Sequence, residues 1–148
     1  MDPASRGTLR LRNGDPAGPP LLDPAHLTDD RDLDRLVPGL RLARELGGTE
    51  ALAPFGTAEL FPGTDVRGEE ACRAYLRRTA STYFHPVSTC RIGTDESAVA
   101  DRELRVRSTA GLRIADASVM PSLVSAPTNA TVLAIAERAA HLMERAER

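Results

Sequence analysis

Three histidines, two cysteines and a set of carboxylates are the residues of this sequence that could move a proton, hold a metal or attack a carbon. His26, His85 and His141 are scattered, and neither Cys72 nor Cys90 stands at ligand spacing from them, so the pattern offers no metal site. His26 falls in a Pro-rich stretch and reads as a surface residue. His141 falls near the end of a terminal helix, where a cation suits the macrodipole. His85 has a different setting. It stands in Tyr83-Phe84-His85-Pro86-Val87-Ser88-Thr89-Cys90-Arg91-Ile92-Gly93, a short, rigid segment of mixed polarity that ends on glycine. Imidazole is the side chain suited to proton transfer near neutral pH. On the residues alone, a hydrogen-bonded structural role is still the commoner one for such a histidine. Asp116, on the same footing, reads as a turn cap.

The elements that must position these residues follow from periodicity. Gly7–Arg12 alternates and meets Asn13-Gly14-Asp15-Pro16, a strand and a turn. Residues 13–25 carry Pro16, Pro19, Pro20 and Pro24 and form an extended connector without helix. Leu33, Leu36, Val37, Leu40, Leu42 and Leu46 keep helical spacing from Asp29 to Leu46, with Thr28 or Asp29 as the cap and Gly47-Gly48 as the stop. Pro38 lies inside that run and predicts a kink, or two short helices meeting at Val37. Residues 53–68 read as loop. A helix is expected from Glu69 to Thr79, burying Cys72, Tyr75, Leu76 and Thr79. Residues 99–106 and 112–115 read as strands, the second buried. Thr128 or Asn129 opens a last helix whose buried stripe is Val132, Ile135, Ala136, Ala139, Leu142, Met143 and Ala146.

Composition narrows the possible functions. The 148 residues carry 19 cationic side chains, all Arg, against 21 acids, and the aromatics are two Tyr and three Phe with no Trp. Nucleic-acid binding needs a basic face and stacking platforms, and this balance supplies neither. The longest apolar run, Val132-Leu133-Ala134-Ile135-Ala136, is too short to span a bilayer. No apolar leader follows Met1, so a soluble, cytoplasmic chain with two reduced thiols is expected.

Four segments in register resemble the C-terminal region of the glucose–methanol–choline (GMC) flavin oxidoreductases. They are His85 to Gly93; Val99-Ala100-Asp101-Arg102-Glu103-Leu104-Arg105-Val106; Gly111 to Pro121; and Thr128-Asn129-Ala130-Thr131. Ser5–Arg12, Asp29–Leu33 and Gly39–Arg44 resemble the strand and helix that open that region. The resemblance implies that His85 is the active-site histidine and Asn129 the second active-site position. Asp116 would contact FAD, and Ala117, Ala130 and Thr131 would approach the cofactor. The role follows from the chemistry. Oxidising an alcohol removes a hydroxyl proton while hydride leaves carbon for the flavin; a histidine can take the proton and an asparagine can donate a hydrogen bond to the same oxygen. Cys90 falls where the family commonly has Cys and reads as packing. The sequence departs from the family at Pro38, at Ser88 (usually Gly), at Ile92 (usually Met) and at Ser125-Ala126-Pro127.

None of the eleven glycines forms the Gly-x-Gly-x-x-Gly turn that seats a dinucleotide. The fold that the resemblance implies is α+β: a partial antiparallel substrate-domain sheet with helices, plus one strand and a C-terminal helix of an incomplete, Rossmann-like FAD domain. Residues 1–148 would form one domain, with 5–98 on the substrate side and 99–148 completing the FAD side. The implied partners are a small-molecule alcohol and a complementary FAD-binding chain, or self-association; FAD would not be held tightly by this chain alone. A stand-alone non-redox binding module and a non-catalytic remnant are the alternative readings.

Overall fold

The computed structural model describes residues 3–56 and 58–146. Two short strands, β1 (Thr8–Arg10) and β2 (Leu21–Asp23), form a two-stranded sheet. Three helices follow: α1 (Asp30–Gly47), α2 (Glu69–Thr79) and α3 (Asn129–Ala146), with 3₁₀ turns at Glu50–Phe55 and Ala117–Val119. The class is α+β-like, as expected, but the sheet is smaller. β1 is shorter than the predicted Gly7–Arg12, and the Pro-rich connector contains β2. All six strand residues are exposed.

The predicted strands at 99–106 and 112–115 are not strands. Three isolated bridges, Ile92 with Ala100, Ala100 with Val106 and Arg105 with Arg113, replace them. Among the described residues, these segments find single-residue partners and no continuous ladder to extend, and the chain turns at Arg102-Glu103 and again at 107–111. Leu104 stands at φ 64°, which interrupts the first run.

The chain divides into two compact units: residues 8–21 and 82–146 with Pro3, and residues 4–7 and 22–81. In the second, α1 packs on α2, and Leu33 and Val37 of α1 and Cys72 of α2 are buried. Asp29 caps α1, accepting the Arg31 N–H at 3.0 Å, and the Gly48 N–H closes the other end on Arg44 and Leu46 carbonyls. Pro38 does not divide α1, which runs unbroken for 18 residues. The one donor lost at Pro38 is outweighed by what flanks it. Leu33 and Val37 are buried ahead of it. Arg73 of α2 pairs with Asp34 at 2.7 Å, and Arg41 of α1 pairs with Glu69 of α2 on the other side. Thr79, expected inside α2's buried face, is exposed and bonds back to the Tyr75 carbonyl.

The start of this unit is tied down by one buried carboxylate. Asp32 accepts the Ala4 N–H at 2.6 Å, the Ser5 N–H at 3.0 Å and the Ser5 hydroxyl at 2.5 Å. Ser5 Oγ in turn accepts the Asp29 N–H. Burial works against the charged Asp32, but the Ser5 hydroxyl and the two backbone donors prevail and its carboxyl lies below the ordinary range. Asp29, hydrogen-bonded by the Arg31 side chain, is lowered from 3.8 to about 2.

Both carboxyls are depressed in the folded chain, so their contribution is complete above the ordinary value and fades as pH falls through the folded values. Denaturant unfolding should show stability declining below about pH 4. Asp32→Ala is expected to cost about 2–4 kcal/mol at neutral pH and to flatten that acid-side decline. Asp34→Ala, removing an exposed pair, should cost less than about 1 kcal/mol. Equal losses for the two variants would show that Asp32 does not anchor the N-terminal segment.

Candidate active site

The first unit is built on Leu104, Val119, Ala139 and Leu142, with Ile92, Ile114 and Ile135 packed around them. This cluster joins α3 to the 3₁₀ turn. It uses less of α3 than the periodicity predicts: Ala139 and Leu142 are buried and Val132 and Ile135 half-buried, whereas Ala136, Met143 and Ala146 are exposed. Backbone bonds then lock the segment following His85 onto the same turn. The Cys90 N–H donates to the Ser118 carbonyl at 3.0 Å, and the Ile92 N–H to that of Val119 at 2.9 Å. Gly93 must be glycine here, because a Cβ would stand 2.9 Å from the Ala98 Cβ and 2.8 Å from Arg91 Nη1. Arg91 itself grips the carboxylate of Asp95, whose acidity that contact and the Ser97 hydroxyl increase.

His85 is half-buried, and its ring meets the Tyr83 ring edge-on, centroids 5.4 Å apart at 80°. The backbone around it is unusual. Phe84 stands at φ 61° and Ser88 at φ 73°, both left-handed and neither glycine. The Phe84 N–H donates to Thr82 Oγ1 at 2.9 Å and closes the turn before His85.

Asp116 serves as the cap that its position suggests: Oδ1 accepts the Ser118 N–H at 2.7 Å and opens the 3₁₀ turn containing Ala117. Its side chain is exposed, and Ala117 is half-buried. Asn129 and Ala130 are exposed in the first turn of α3, with Thr131 half-buried beside them. The first intrahelical bond runs from the Val132 N–H to the Thr128 carbonyl. The N–H groups of residues 129–131 therefore have no intrahelical acceptor and lie at the positive end of the helix.

The structure thus groups Asp116 with Ala117 and Asn129 with Ala130 and Thr131, and binds both groups and the chain beyond His85 to one core. Among the described residues no hydrogen bond joins His85 to Asn129 or Asp116. The ring contact of Tyr83 and the turn closed by Thr82 are not evident from the sequence. No group of His, Cys, Asp and Glu among the described residues could hold a metal. For FAD the fit is partial. The helix N-terminus suits a polar or anionic ring edge, but the Gly-x-Gly-x-x-Gly seat is missing from the sequence. A cleft of about 580 Å³, lined by residues including Leu40, Arg44, Phe61 and Arg67, contains none of the site residues. No helix among the described residues is long and apolar enough to cross a membrane.

A GMC oxidoreductase family model matches residues 3–136. The chain is 44% identical to choline oxidase of Arthrobacter globiformis, over 96% of its own length and 27% of that protein's. It is 38% identical to an alcohol dehydrogenase [acceptor] of Pseudomonas putida, over 97% and 26%. Pyridoxine 4-oxidase from Mesorbium loti superposes with a TM-score of 0.90 at 36% identity, covering 97% of this chain and 28% of the other. An FAD-dependent oxidoreductase from Chaetomium thermophilum superposes at 0.93 with 29% identity, covering 100% and 26%. The chain belongs to the GMC oxidoreductase family. It spans about a quarter of the length of these relatives.

The left-handed Ser88 yields a direct test. Ser88→Gly should raise stability by about 1 kcal/mol, since the strain removed exceeds the added freedom of the unfolded chain. Ser88→Val should lower it by more. Thermal unfolding decides; a glycine variant less stable than the parent would contradict the backbone conformation at this position.

Proposed function

We propose that this chain is the substrate-side part of a GMC-type flavin oxidoreductase acting on CH–OH groups. On this reading His85 is the acid/base, and polypeptide outside these 148 residues, a separate FAD-domain chain, provides the dinucleotide seat. The reading is carried by the family match over residues 3–136, which includes both His85 and Asn129. The names of the relatives, choline oxidase and alcohol dehydrogenase [acceptor], support an alcohol as the substrate class.

FAD, when bound, supplies the acceptor for the hydride that leaves the alcohol carbon. The residues of this chain handle the proton and the oxygen. His85 takes the hydroxyl proton as the carbonyl forms and later releases it to water. The Asn129 amide donates a hydrogen bond to the same oxygen and holds it while negative charge develops there. The N–H groups of Asn129, Ala130 and Thr131, with the helix dipole behind them, would meet the edge of the flavin ring, and Asp116 and Ala117 would contact the cofactor from the 3₁₀ turn. Leu133 and Met143, 61% and 48% exposed on α3, give that helix an apolar surface for the complementary chain or a second copy to cover. The unpaired Cys72 and Cys90 fit a reducing cytoplasm.

In the enzyme assembled with an FAD-domain chain, His85→Ala should slow flavin reduction by alcohol about 10²–10⁴-fold, with a much smaller effect on substrate binding. Asn129→Ala should cost roughly 1.5–3 kcal/mol of barrier, the worth of one hydrogen bond to a charged oxygen. His26→Ala and His141→Ala should reduce the flavin at the parent rate. Stopped-flow absorbance separates chemistry from binding in each variant. Parent-like reduction in His85→Ala would remove His85 from the reaction.

A further inference from the structure

We propose that Tyr83 is a positioning residue for His85, fixing the plane of the imidazole through an edge-on ring contact. This rests on the reading of His85 as the acid/base and adds the residue that aims it. Tyr83 is 78% exposed, so its ring does not serve the hydrophobic core. It nonetheless stands 5.4 Å from the His85 ring at an interplanar angle of 80°, the T-shaped arrangement that aromatic quadrupoles favour.

Three features of the local chain produce this contact. Thr82 Oγ1 accepts the Phe84 N–H and closes a tight turn. Phe84, between the two residues in sequence, is left-handed at φ 61°, a costly conformation for a bulky residue and therefore one that the surroundings impose. Pro86 restricts the backbone of His85 itself to extended conformations. Together they settle where His85 leaves the backbone but not the rotation of its ring about the terminal torsion, which is broad for histidine. Among the described residues no hydrogen bond to the protein fixes that ring. Tyr83 supplies the missing restraint. An imidazole held in one plane presents its nitrogen to the alcohol in a constant direction, whereas a freely turning one spends part of its time misaimed.

The test begins with the 148-residue chain. Its imidazole resonances are recorded by NMR, with His85 identified from its loss in His85→Ala. In the parent, the His85 ring protons should be displaced from those of the exposed His26 and His141 by the Tyr83 ring current. Tyr83→Leu should move them toward the exposed values, and Tyr83→Phe should retain the parent positions. Because Tyr83 is exposed, both variants should fold, which circular dichroism checks. In the flavin-loaded enzyme, Tyr83→Leu should slow flavin reduction roughly 2- to 10-fold at unchanged substrate affinity, with Phe restoring the rate. His85 resonances unmoved by Tyr83→Leu, or a Leu variant as fast as the parent, would overturn the proposal. Parent-like reduction in His85→Ala would instead defeat the acid/base reading, while the ring-proton positions still report whether Tyr83 orients His85.

Discussion

The site depends on a small patch of packing. Leu104, Val119, Ala139 and Leu142 are the buried contacts that join α3 to the 3₁₀ turn at Ala117–Val119. Each buried aliphatic side chain contributes about 1.5–3 kcal/mol, so the cluster is worth only a few such increments. Everything proposed to act chemically in this chain hangs from it. α3 carries Asn129, Ala130 and Thr131; the 3₁₀ turn begins at Asp116; and two backbone bonds from Cys90 and Ile92 fasten the segment that His85 opens. A core this small leaves most of α3 uncovered, with Leu133 and Met143 exposed on it.

The second unit solves a different problem with charge. Asp32 is buried and remains ionised because three donors converge on it from Ala4 and Ser5. Arg44 does the reverse at the other end of α1. Its guanidinium reaches Glu59, the Gly63 and Val66 carbonyls and the Cys72 sulfur, and so gathers an irregular loop that has few apolar contacts of its own. Glu59 holds the Arg44 charge more firmly still. Between these two residues, the Asp and Arg side chains of α1 and α2 pair along the helix seam. With no lysine in the chain, each of these pairings uses the planar donor fork of arginine.

The three helices were legible from periodicity, aided at α1 by its cap and glycine stop: Asp29 and Gly48 frame α1, and α2 spans the predicted residues. The strands at 99–106 and 112–115 were misread because spaced apolar residues show that a segment can pair, not that a partner exists to pair with. The break expected at Pro38 is absent for a related reason, since the ion pairs that flank it come from a helix distant in sequence. The site was legible unevenly. The residues alone gave Asp116 as a cap, which it is; the chemistry assigned to His85 and Asn129 came from the family resemblance. The Tyr83 contact was hidden because it requires a left-handed Phe84, and nothing in a phenylalanine announces that conformation.

The central claim is a division of labour: this chain provides the proton-handling side of the site and other polypeptide provides the dinucleotide seat. Flavin retention tests it most directly. The purified 148-residue chain is mixed with FAD, alone and together with a GMC FAD-domain chain, and each mixture is passed through gel filtration while flavin absorbance is followed. The account predicts that the chain alone elutes colourless, and that the pair elutes as a yellow complex whose flavin is bleached by alcohol. Stoichiometric flavin travelling with this chain alone would contradict it.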